Sequence, residues 1–153
     1  MGRHCIVNNL VGWENNMPNK YKVMDTYLEL VNIAKSLCGK KDINSSITVA
    51  KVAAGLLTES GEIFTGISIE APCGIGFCAE HAAIAEMLKH GQTKIKYIVA
   101  VNASGIVIPC GRCREFIRQV DASNYSNTLI AVKDGENRFL CDLLPFPFLS
   151  SKE

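Results

Sequence analysis

Between residues 23 and 37, Tyr27, Leu30, Val31, Ala34 and Leu37 recur at spacings of three and four, the period of one helix face. Gly39 follows as a natural stop. Residues 47–58 are apolar and partly β-branched, ESGE at 59–62 supplies a turn, and 63–69 alternate, which together predict a β-hairpin. An alanine-rich stretch over 77–90 reads as a helix closed by Gly91. Residues 95–101 form an almost wholly apolar strand, the kind buried on both faces. A helix over 111–120, a buried strand over 128–133, a turn at 134–137 and a short strand at 138–140 complete the series. The first 20 residues are asparagine-rich and hold no period, so they are expected to form a poorly ordered N-terminal arm ahead of one domain over 21–153. A hairpin followed by alternating helices and buried strands predicts a mixed sheet with helices on both faces.

Composition narrows the class without changing the fold. The chain has 153 residues, 48% of them hydrophobic and 20% charged, as in an ordinary soluble domain. A net charge of +1 with no run of lysine and arginine argues against a dedicated nucleic-acid surface, because such binding runs on phosphate neutralisation. No charged-then-apolar leader opens the chain, and no apolar stretch approaches the roughly 20 residues that span a bilayer. A cytoplasmic protein without membrane attachment is expected. In that compartment thiols stay reduced, so the seven cysteines read as metal-binding or catalytic before they read as disulfides.

Chemistry concentrates in two places. PCGRC, residues 109–113, sets Cys110 and Cys113 at the start of one predicted helix, and FCAEH, residues 77–81, sets Cys78 at the start of another. Thiolates at helix N-termini are favoured by the positive end of the helix dipole. Three such ligands would hold Zn²⁺ and leave its fourth position open, which separates a catalytic site from a structural one. Glu80, two residues beyond Cys78, would stand beside a water there without ligating the metal. A ligand-x-Glu pattern followed by Pro-Cys-x-x-Cys is a zinc-deaminase signature. The plainer alternatives are a purely structural zinc, an ordinary first-turn acid at Glu80 and solvated side chains at His81 and Arg112. Cys5, Cys38, Cys73 and Cys141 lack metal spacing and read as small apolar side chains.

On these motifs the chain resembles the cytidine deaminase family from about residue 23 to residue 148. The resemblance implies a three-layer α/β/α sandwich around a mixed five-stranded sheet. It also implies one Zn²⁺ per subunit on Cys78, Cys110 and Cys113, with Glu80 as proton shuttle. The implied reaction is hydrolytic deamination of a free cytosine nucleoside, with hydroxide from zinc-bound water attacking C4. GISIE, residues 66–70, is similar to the family's G-x-N-x-E, which assigns Ser68 and Glu70 to the sugar, with Ser68 in place of the usual asparagine. Ala79 joins the substrate-binding set. LLPFPF, residues 143–148, looks like the family's C-terminal segment and puts Phe148 where a neighbouring subunit's aromatic reaches the ligand of a homotetramer. The family's stacking aromatic in the first strand is replaced by Ala50 or Lys51. His81 stands where related enzymes carry an arginine, and His81 or Arg112 is expected to temper the thiolate charge. PCGRCR and IFTG are also similar to blasticidin S deaminases, the alternative within the fold. A nucleic-acid editor and a non-catalytic zinc protein are the remaining alternatives.

Overall fold

The computed structural model describes residues 20–148, with side chains from residue 26 onward. The arm expected over 1–20 lies, but for Lys20, outside the described residues. Helix α1 (Lys20–Leu37) leads into a short strand β1 (Lys41–Asp42), then strands β2 (Thr48–Thr58) and β3 (Ile63–Glu70). A 3-10 turn (Pro72–Gly74) precedes α2 (Ala79–Lys89), β4 (Ile95–Asn102) and β5 (Gly105–Val107). The chain continues through α3 (Gly111–Val120), α4 (Asn124–Asn127), β6 (Leu129–Lys133), β7 (Glu136–Phe139) and α5 (Leu140–Leu143).

Five principal strands lie in the order β3-β2-β4-β6-β7, and the pairing of β4 with β6 is parallel while the others are antiparallel. The sheet is therefore mixed, as expected. Two short strands, β1 on β2 and β5 on β4, enlarge it from the expected five to seven. A three-residue strand such as β5 is too brief to show a period, which is why its pattern was silent. The last strand begins at Glu136, earlier than the expected 138, because the turn needs only Asp134 and Gly135 before pairing resumes at Lys133↔Glu136.

Alternation along the strands builds two cores. Ala53, Tyr97, Val99, Val101 and Ala131 pack with Leu30, Val31 and Ala34 of α1. Ala54, Leu56, Ile98, Ala100 and Ile130 face Ala83, Ile84 and Met87 of α2 and Ile117 of α3. Strand β4 serves both layers, so its sequence reads as continuous apolar residues. Each large side chain buried this way contributes about 1.5–3 kcal/mol of transfer free energy. Asn124, 1% exposed, pins the second layer: its amide oxygen accepts from the Ile95 N–H at 2.8 Å. Its Nδ2 donates to Thr93 and Ile117 carbonyls at 3.0 Å each. The start of β4 and the body of α3 are thus held together by one satisfied buried amide.

Candidate active site

The starts of α2 and α3 converge. Cys78 and Cys110 occupy the two N-cap positions with extended backbone, and neither makes a side-chain capping bond. A serine or aspartate there would spend its oxygen on the helix; these sulfurs are left for other work. Cys113, one turn into α3, is fully buried. The Cys78 and Cys110 sulfurs are 3.9 Å apart, those of Cys110 and Cys113 are 3.4 Å apart, and all three lie within 4.8 Å of one another. Sulfurs about 2.3 Å from a tetrahedral zinc ion stand roughly 3.8 Å from each other. The donor set fits that ion in kind and spacing. It is the one cluster of three metal-capable side chains among the described residues.

Delivery of Cys78 depends on close backbone contact. Ile69 and Phe77 form a two-way bridge, with N–H···O distances of 3.0 and 2.9 Å, that closes the 70–76 loop and aims the chain into α2. In β3, Gly66 lies against the first turn of α2. A Cβ there would come within 2.4 Å of both the Ala79 carbonyl oxygen and the Ala83 nitrogen. No side chain fits, so glycine sets how near the helix start approaches the sheet.

Glu80 is 4% exposed in the first turn of α2. Burial pushes its carboxyl above the usual range, against hydrogen bonds from its own backbone and the Cys113 thiol that pull it down. Burial likewise raises the Cys78 and Cys113 thiols, with Glu80's negative charge adding to both. At Cys110 burial acts upward too, but hydrogen bonds from Cys113, Cys78 and the Arg112 backbone together outweigh it and the net shift is downward. His81 stacks on Phe116, with centroids 4.7 Å apart, and its Nδ1 is 3.4 Å from the Cys113 sulfur. Burial, helped by the Arg112 charge, lowers the His81 pKa and favours a neutral ring.

A cavity of about 480 Å³ opens over these groups. Cys78, Ala79, Glu80, Cys110 and Arg112 line it together with Ser68 and Glu70. Seven of the ten residues singled out from the sequence thus share one wall. Cys113 and His81 sit behind it on the sulfur cluster, and Phe148 stands apart, 66% exposed, its backbone N–H donating to Glu115 at 3.1 Å. The sequence reading assigned no part to Val52, Val107 or Ile108, which supply apolar surface to the cavity. Nor did it link Lys51 to Glu70, whose side chains form an ion pair. Those 19 positions of separation carry no local signal.

The model of the cytidine and deoxycytidylate deaminase zinc-binding region matches residues 24–127. A protein from Dictyostelium discoideum described as a probable cytidine deaminase is 36% identical over 69 residues, 43% of this chain and 47% of that one. A blasticidin-S deaminase from Bacillus cereus is 38% identical over 76 residues, 43% of this chain and 54% of that one. The chain therefore spans about half the length of these curated relatives. The crystal structure of a cytidine deaminase from Mycobacterium tuberculosis superposes with a TM-score of 0.67 at 27% identity, covering 81% of this chain and 98% of that chain.

Proposed function

The chain belongs to the cytidine and deoxycytidylate deaminase zinc-binding family, and on that premise we propose that it is an aminohydrolase of free cytosine nucleosides. It would convert cytidine or deoxycytidine to the uracil nucleoside and ammonia. The observation that carries this reading is the buried Glu80 carboxyl sharing a cavity with the Cys78 and Cys110 sulfurs. Cys78, Cys110 and Cys113 would hold the zinc ion, which when bound supplies Lewis acidity toward water.

Glu80 does the proton work. Water oxygen bonds to C4 as Glu80 carries one water proton to N3; Glu80 then carries the second proton, from the new C4 hydroxyl, to the amino group, and the C4–N4 bond breaks to release ammonia. A carboxyl whose pKa burial raises holds a proton more readily than a solvated one, which suits a group that must both take a proton and pass it on. Ser68, Glu70 and Ala79 would contact the substrate from the cavity wall. Arg112 would offset the sulfur charge with its own, and His81 would temper it by hydrogen bonding as a neutral ring, a role supported by its approach to Cys113. Phe148 and Phe146, 66% and 88% exposed, suit a homotetramer in which one subunit's aromatic reaches a neighbour's ligand. The blasticidin-type reading is favoured by one observation, the exposed Arg112 guanidinium on the cavity wall within PCGRCR.

The test is ammonia release from cytidine, deoxycytidine, blasticidin S and single-stranded DNA and RNA, on a preparation whose zinc content and sedimentation mass are measured. Turnover of the free nucleosides by a zinc-loaded tetramer is expected. Turnover of blasticidin S alone would transfer the assignment to the second reading. Activity confined to polynucleotide, or no activity with zinc bound, would overturn it.

A further inference from the structure

Among the cysteines, Cys110 and Cys113 stand apart in how they are placed. Cys110 is exposed at the N-cap of α3, where its sulfur caps nothing and lines the cavity. Cys113 lies behind it, one turn into the helix and fully buried. A reachable thiol backed by a shielded one is the arrangement of cysteines that peroxides oxidise and a neighbour then resolves into a disulfide. Access to this turn is open, since a Cβ added at Gly111 would meet nothing nearer than a terminal nitrogen of Arg114 at 3.9 Å. Distance and anchoring then select the partner. A disulfide holds its sulfurs about 2.05 Å apart. From 3.4 Å, the Cys110 and Cys113 sulfurs reach that length by closing about 1.4 Å within one helix start. The Cys78 sulfur is farther from Cys110, at 3.9 Å, and its backbone is anchored. The Ile69–Phe77 bridge holds the residue before it, and α2 packs on Gly66 with no room for even a methyl group. A cross-link to Cys78 would have to drag one helix start toward another, whereas one to Cys113 needs only side-chain rotation.

We propose that Cys110 and Cys113 form a redox switch, in which a hydroperoxide joins them as a disulfide and takes two of the three sulfur donors away from zinc. With hydrogen peroxide, the Cys110 sulfur attacks one oxygen, the O–O bond breaks, and a sulfenic acid and hydroxide form. The Cys113 sulfur then attacks the Cys110 sulfur, and the S–O bond breaks to release a second hydroxide. The two sulfurs have given up two electrons, and solvent protons turn both hydroxides into water. Only Cys78 then remains as a sulfur donor, too few to keep a tetrahedral site. A thiol reductant reverses the step by exchange. The switch would regulate the deaminase site proposed above, and it rests on that reading only for the activity that would be lost.

The zinc-loaded full chain is titrated with hydrogen peroxide, and zinc release is followed with a chromogenic chelator beside thiol counting and peptide mapping by mass spectrometry. Zinc should leave in step with the loss of two thiols per chain, mapped to a Cys110–Cys113 cross-link. Dithiothreitol with added zinc should return both the metal and the thiols. Cys73→Ser, which removes another exposed thiol, should respond as the unaltered chain does. A response lost in Cys73→Ser, a cross-link through Cys78, or zinc lost to sulfinic acid that dithiothreitol does not reverse would overturn the proposal. So would zinc still bound once Cys73 has been oxidised. Ammonia release is measured on the same samples. A preparation that deaminates no nucleoside before peroxide is added would take down the parent reading, while zinc release and the cross-link would still decide the switch.

Discussion

The chemistry proposed for Glu80 depends on where it sits on its helix. As a first-turn acid it would be unremarkable in water, yet here it is buried beside the Cys113 thiol, and burial raises its pKa. Glu80→Gln keeps the shape and removes the titration. Turnover should fall by about 10²–10⁴-fold with the zinc content unchanged, measured by ammonia release and metal analysis on one sample. Retained turnover would remove Glu80 from the mechanism. The convergence of this residue and the three cysteines could be expected from the chain because their information is local: each cysteine stands at a helix start, and spacing within a turn is written in consecutive letters. The Lys51–Glu70 ion pair and the fit of Gly66 were not readable that way. The first depends on a partner 19 residues away across an irregular ladder, the second on an interlayer approach that no periodicity encodes.

Elements convert that local information into a site. Helix α2 can carry Cys78 and Glu80 to the sheet only because β3 offers Gly66 beneath its first turn. Gly66→Ala must displace backbone rather than a pliable side-chain tip. It should cost about 1–3 kcal/mol of stability in denaturant unfolding and weaken zinc binding in a chelator competition. Unchanged zinc affinity would show that α2 is positioned by other contacts. The long elements were visible because their patterns persist: the α1 stripe, the two-faced run of β4 and the alternation of β3 each hold over several residues. The short ones were hidden. Strands β1 and β5 and helices α4 and α5 span two to four residues each, held by contacts that sequence does not announce, such as those of the buried Asn124.

Over the whole molecule, the sulfur cluster joins two helix starts separated by the β4–β5 segment, so zinc would act as a clasp between them. Removing it with a chelator should lower the melting temperature by about 5 °C or more. Three thiols must shed protons to bind the metal, and protons compete with zinc for them. The stabilisation should therefore grow as pH rises from about 6 to about 8, read by thermal melts with and without chelator; a pH-independent difference would argue against thiolate ligation. Strand β2 pairs with β3 at Val49↔Ile69 and next at Ala53↔Ile67, so Ala50, Lys51 and Val52 together oppose Ser68, and this irregularity has a consequence at the same scale. Three residues facing one is an excess of two, an even number, so the strand resumes with its sidedness intact and both cores are undisturbed. Loss of Ala50 and Lys51 as a unit would straighten the ladder and remove the ion-pair partner of Glu70. Loss of either alone would turn half the strand inside out. The bulge is thereby a detachable unit, open to evolutionary exchange in steps of two residues while the sulfur cluster keeps its place.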